Sequence, residues 1–99
     1  MENSYEIVWT DLALEELENT VKYLEEKFSE KEVERLADEI ERILLIISQN
    51  PAIFSLSDKI NVRKATILKF NSMFYRVTKN EIQILSFFSN RQNIENIKI

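Results

Sequence analysis

The sequence predicts an α+β domain in which an N-terminal strand precedes an antiparallel helical hairpin packed on a three- to four-stranded, mainly antiparallel sheet. Two observations carry that expectation. Apolar residues recur at spacings of three and four from Leu14 to Ile47, and from Val62 onward the spacing shortens to two. A third is the order of these regions, which places helices before a run of strands with turn residues between them.

Tyr5-Glu6-Ile7-Val8-Trp9 is rich in β-branched and aromatic residues and reads as the first strand. Thr10 then caps a helix with Asp11 in its first turn, where a carboxylate meets the positive end of the helix dipole. Leu14, Leu17, Val21, Leu24 and Phe28 fall on one stripe of that helix. Ser29 followed by Glu32 matches a capping box, so a second helix is expected at once, with Val33, Leu36, Ile40, Ile43, Leu44 and Ile47 as its apolar face. It should stop near Asn50, before Pro51. So short a joint between two amphipathic helices implies a hairpin. Ala52 to Asn61 loses periodicity and reads as a loop. Val62–Phe70, Ser72–Thr78 and Glu81–Phe88 are the expected strands of a meander, turning at Asn71 and at Lys79-Asn80. The chain has no glycine, so Asn71, Asn80 and Asn90 are the expected positive-φ positions. The segment Gln92–Ile99 fits no single assignment.

Ninety-nine residues suit one domain spanning 1–99, and 44% hydrophobic with 30% charged content is enough apolar material to collapse. Cysteine and histidine are both absent. That excludes disulfides, thiolate nucleophiles, the usual zinc sites and the commonest general base, and without glycine there is no phosphate-cradling loop. No cofactor or metal is expected. The first residues lack the cationic and apolar regions of a signal peptide, and no apolar run approaches about 18 residues. A cytoplasmic protein without membrane contact is the expectation.

The net charge of −4 conceals a division along the chain. Residues 1–58 hold five Lys/Arg against fifteen Asp/Glu, net −10, and residues 59–99 hold eight against two, net +6. Such asymmetry suggests a basic face that meets a polyanion or an acidic partner, or acidic helices that neutralise a basic sheet. The helix carboxylates read as solvated surface, with Glu18–Lys22 and Asp38–Arg42 as acid-first i,i+4 pairs and Lys22–Glu26 and Arg35–Glu39 in the weaker order. What remains is a cationic set: Arg63, Lys64, Lys69, Arg76 and Arg91. Clustered cations bind phosphate and stabilise charge at a scissile phosphodiester, but a sequence pI near 4.9 argues against a general nucleic-acid binder.

Several motifs in this order resemble the RelE/ParE toxin superfamily over nearly the whole chain. They are Trp9-Thr10-Asp11-x-Ala13, Val62-Arg63-Lys64, Phe74-Tyr75-Arg76-Val77 and Ile84-Leu85-Ser86-Phe87-Phe88-Ser89-Asn90-Arg91-Gln92-Asn93. The resemblance implies the toxin half of a type II toxin–antitoxin pair, associated with plasmid stabilization and growth inhibition, and neutralised by a cognate antitoxin. RelE-like members are mRNA endonucleases that cut in the ribosomal A site with a basic and aromatic cluster, whereas ParE-like members inhibit DNA gyrase. On the RelE-like pattern Lys69, Arg76 and Arg91 are the catalytic candidates. The match fails where that branch has an arginine and this chain has Ser72, and no tyrosine follows Arg91. The ParE-like reading is therefore favoured, with the mRNA endonuclease as the alternative and a non-toxic antitoxin-binding module as a third. Arg63, Lys64, Lys69, Arg76 and Arg91 are the candidates for contact with target or antitoxin. The antitoxin would cover apolar residues of the hairpin or add a strand at a sheet edge, and the toxin could form a homodimer or a hetero-oligomer with it.

Overall fold

Thr10 joins sheet to helix. In the computed structural model, which describes residues 5–89, its hydroxyl accepts from the Ala13 N–H at 3.2 Å and donates to the Ile84 carbonyl at 2.8 Å. Its own N–H donates to the same carbonyl at 3.1 Å. One residue thus ends strand β1 (Glu6–Trp9), caps helix α1 (Asp11–Lys27) and fixes both to the last strand. Helix α2 (Glu30–Gln49) follows, then strands β2 (Arg63–Ile67), β3 (Asn71–Val77) and β4 (Glu81–Ser89). The sheet order is β1-β4-β3-β2, with β1 parallel to β4 and the other neighbours antiparallel.

Helix α2 presents the face its sequence predicts: Leu36, Ile40, Ile43 and Ile47 are buried, and Val33 and Leu44 pack beside them. Helix α1 is rotated from expectation. Ala13, Thr20 and Leu24 are buried, while Leu14 and Phe28 at the edge of the predicted stripe are exposed. Small residues face inward because α1 lies close over β4, and Thr20 is accommodated there by donating to the Glu16 carbonyl at 3.0 Å. The expected capping box does not form. Ser29 has the extended backbone of an N-cap but makes no side-chain cap bond. Glu32 turns instead to Arg35 at 3.4 Å, and Arg42 meets Glu39 at 2.7 Å. Among the described residues these i,i+3 pairs stand in place of the predicted Arg35–Glu39 and Asp38–Arg42, and neither Glu18–Lys22 nor Lys22–Glu26 forms. The Arg42 guanidinium, chiefly by hydrogen bonding, holds the Glu39 carboxyl below the usual carboxylate range.

The turns depart most from expectation. Asn71 is the first residue of β3 rather than a turn residue, and left-handed backbone falls at Asn61 (φ 64°), Leu68 (φ 52°) and Lys69 (φ 70°). Asn71 supports this hairpin through its side chain, whose Nδ2 donates to the Ile67 carbonyl at 3.0 Å. The Lys79-Asn80 turn is present with ordinary φ, closed by Thr78, whose N–H donates to the Glu81 carbonyl at 2.9 Å and whose Oγ1 accepts from the Glu81 N–H at 3.2 Å.

Register divides the sheet into two faces. Ala65, Ile67, Met73, Tyr75, Ile82, Ile84 and Phe87 point to the helices and form one core with them. Between the pairs Phe74↔Ser86 and Tyr75↔Ile84 the register shifts, leaving Leu85 as the extra residue of a β-bulge. Without the bulge Phe87 would leave the core, because a one-residue slip reverses every later side chain. Glu16 of α1 holds this point: its Oε1 accepts from the Phe87 N–H and from the Ser86 hydroxyl, each at 2.9 Å.

Candidate functional site

The strands turn a second row of side chains away from the helices. The register pairs Lys64 with Phe74, and Thr66 with Ser72 and Ser72 with Phe88, so these rows cross the outer face, while Ser86, opposite Phe74 at the bulge, turns its hydroxyl to Glu16 of α1. Arg76 lies opposite Gln83 on that face, and Gln83 opposite Val8. The sheet itself is therefore what brings Lys64, Phe74 and Arg76 together.

Residues 58–62 border this face and enclose a groove of about 730 Å³ with β3 and β4, lined by Ile60, Val62, Phe74, Leu85, Asp58 and Arg76, among others. Its walls are mostly apolar, with charge at the rim. Ile60 is 91% exposed, and Leu56, Ile53 and Phe88 are also exposed. Of these only Ile60 lines the groove, and an exposed aliphatic side chain at the border of an apolar groove is a feature of contact surfaces. Among the described residues neither Lys64 nor Arg76 forms an ion pair, so both charges remain available.

The other predicted cations lie elsewhere. Arg63 is half-buried and donates from Nη1 to the Phe54 carbonyl at 2.7 Å, tying the 51–62 segment to β2. Beside it the buried Tyr75 hydroxyl donates to the Pro51 carbonyl at 2.8 Å. Burial pushes the Tyr75 phenol above its ordinary range, against the opposing pull of the Arg63 charge and the Phe54 N–H. Lys69 stands at the β2–β3 turn and lines a separate groove with Arg35 on the helix side. Arg91 lies outside the described residues. The four described cations thus do not form one cluster: Lys64 and Arg76 share the outer face, Arg63 is a strut, and Lys69 faces another cavity.

The edge of β2 is partly closed. The Ser57 N–H donates to the Val62 carbonyl at 2.7 Å and the Lys64 N–H to the Ser55 carbonyl at 3.1 Å, and among the described residues no further strand pairs with the Ala65–Ile67 end of that edge. Helical periodicity could not reveal Glu16, one of many Glu residues on α1, or Ile60, in a loop. An apolar residue inside a polar loop was the available sign of Ile60.

A family model described as the ParE toxin of the type II toxin–antitoxin system, parDE, matches residues 7–94. Among solved structures, the chromosomal ParDE TA system from P. aeruginosa aligns with a TM-score of 0.73 at 20% identity, covering 89% of this chain and 98% of that one. The YoeB dimer from Staphylococcus aureus aligns with a TM-score of 0.59 at 20% identity, covering 84% of this chain and 93% of that one. At this identity both likenesses concern the fold. No curated protein matches the sequence at a significant level.

Proposed function

As the chain belongs to the family of ParE toxins of type II toxin–antitoxin systems, we propose that it inhibits growth by binding DNA gyrase and is neutralised by a cognate antitoxin. The observation that carries this reading is the separation of its cations. Lys69 and Arg76, two of the residues an RNA-cleaving site would need, line different grooves. A catalyst of phosphodiester cleavage needs its charges converging on one reacting atom, whereas a binding inhibitor does not. The outer face offers what an interface needs, an apolar groove with unpaired cations at its border. An acidic antitoxin segment fits the same face through Lys64 and Arg76, in keeping with the +6 charge of residues 59–99. Among the described residues no helix is long and apolar enough to cross a membrane.

The test is a supercoiling assay in which the chain is titrated against gyrase from its own host, with and without antitoxin. Inhibition that the antitoxin relieves is the expected result. Unchanged supercoiling together with new transcript ends would overturn the reading.

The mRNA endonuclease remains the second reading, favoured by Phe74 lying beside Lys64 on an open sheet, since an aromatic with adjacent cations can stack a base and hold its phosphate. Toxicity that survives alanine at Lys69, Arg76 and Arg91 together would end it.

A further inference from the structure

Ile60 is the most exposed large apolar side chain among the described residues, at 91%, although it sits in a turn, where polar residues prevail. A single exposed isoleucine is ordinary on a protein surface. Three features set this one apart.

The backbone beneath it is braced. The Ser57 N–H donates to the Val62 carbonyl at 2.7 Å, the Val62 N–H to the Lys59 carbonyl at 3.3 Å, and the Lys59 N–H to the Ser57 hydroxyl at 3.2 Å. Asn61 takes the left-handed backbone (φ 64°), which asparagine tolerates better than most residues, and Val62 at the base of the turn is buried. Ile60 is thus held out on a hydrogen-bonded turn, and little ordering remains to oppose its docking. It also stands at the border of the outer groove, where Val62, Phe74 and Leu85 continue the apolar surface. Ile53 and Leu56, the other exposed apolar residues between α2 and β2, do not line that groove. The third feature is charge. Lys59 and Arg76 line the groove against one acid, Asp58, and Lys64 adjoins it through Phe74. Among the described residues none of these four forms an ion pair, so the border is locally cationic on a chain that is acidic as a whole.

We propose that Ile60 is the anchor by which this chain engages its target protein: the side chain enters an apolar pocket of the target, and carboxylates at the rim of that pocket meet Lys59 and Arg76. The inference rests on the outer face being the target's site, and it adds the residue that seats the contact and the chemistry of the surface that receives it. Charge selects this partner over a second copy of the chain, because the same patch on another molecule carries the same excess of cations and is repelled, whereas a carboxylate rim is attracted. The aliphatic side chain selects a protein over a nucleic acid, since it can neither stack on a base as an aromatic does nor hold a phosphate. One buried side chain of this kind can carry a large share of a contact's binding energy.

The experiment is a supercoiling titration of gyrase from the host with the native chain and with Ile60→Ser, beside growth arrest on expression of each. Ile60→Ser should need at least about 10-fold more protein for equal inhibition. Its urea midpoint should stay that of the native chain, because so exposed a side chain adds little to folding. Ile53→Ser, away from the groove, should inhibit like the native chain. Lys59→Glu should weaken inhibition about 5-fold, and unchanged inhibition by it would overturn the carboxylate rim. Equal inhibition by the native chain and Ile60→Ser overturns the anchor and leaves the gyrase reading intact. If the native chain does not inhibit gyrase, that reading falls and growth arrest decides the anchor. It then stands if Ile60→Ser loses the arrest and the native chain produces no new transcript ends; arrest by Ile60→Ser, new transcript ends, or no arrest by the native chain each overturns it. Sedimentation showing self-association that Ile60→Ser abolishes would assign Ile60 to a second copy and overturn the proposal as well.

Discussion

The two faces of the sheet are built from the same strands and have opposite characters. On the inner face Met73, Tyr75, Ile82, Ile84 and Ile67 are completely buried, and their polar neighbours are satisfied, with no unpaired buried side-chain atom among the described residues. On the outer face Lys64, Phe74, Arg76 and Phe88 alternate with them, exposed or half-buried, and the cations lack partners. Period-two geometry lets one strand serve both needs, because a change on one face leaves the packing of the other nearly untouched. The comparison teaches that close packing, and with it stability, is concentrated on the helix side, while the side chains of the other face carry little of that duty.

The largest effect expected of this division is on the inner face. Ile84→Ala should cost about 2–4 kcal/mol by equilibrium urea unfolding, against less than about 1 kcal/mol for Phe88→Ala, four residues along the same strand. Equal losses would break the comparison. Next is Glu16→Ala, which strips the acceptor from the Phe87 N–H at the bulge and should cost about 1–3 kcal/mol, with faster hydrogen exchange at that amide. Glu16→Gln keeps an acceptor and should restore part of the loss.

A smaller loss, about 1–1.5 kcal/mol at neutral pH, is expected for Tyr75→Phe, which leaves the Pro51 carbonyl without its donor. Its pH dependence sharpens the point. Burial raises the Tyr75 pKa above the ordinary value of 10.0, so the folded state favours the neutral phenol. That contribution to stability is complete below about pH 10 and is lost as pH rises through the higher folded value. Melting temperatures from pH 8 to 11 should fall more steeply for the native chain than for Tyr75→Phe. The smallest expected stability change is for Lys64→Ala with Arg76→Ala, within about 0.5 kcal/mol each, while gyrase inhibition or antitoxin binding falls at least about 10-fold.

How much of this the sequence disclosed depends on how regular each region is. The apolar face of α2 was legible residue by residue because six large aliphatic residues at helical spacing leave one orientation. The Thr10 cap was legible because its chemistry is local. The rotation of α1 was hidden, because its inward positions are Ala13 and Thr20, which carry little hydropathy, while Leu12 and Leu14 face outward. The β2–β3 turn was hidden for want of glycine, which left asparagine as the only signal and pointed two residues too far along. The cations of the C-terminal half can be picked out of the sequence, but strand parity and the bulge at Leu85 decide which face each described one meets, and a bulge leaves no trace in composition. The parallel pairing of β1 was equally out of reach, since it joins residues some 75 positions apart.

That pairing also governs the order in which the fold can arise during translation. Glu6–Trp9 leaves the ribosome first, yet its neighbours in the sheet, Glu81–Ile84, are among the later residues made. Until they emerge, β1 has no strand beside it, Thr10 lacks the Ile84 carbonyl, and Tyr75 and Phe87 have an incomplete core to enter. Helices α1 and α2 can form early from local contacts, but closure of the sheet waits for non-local ones. Neither face can therefore take its final form on a nascent chain that stops short of β4, and a truncated translation product would carry the helical hairpin without the surface proposed to do harm.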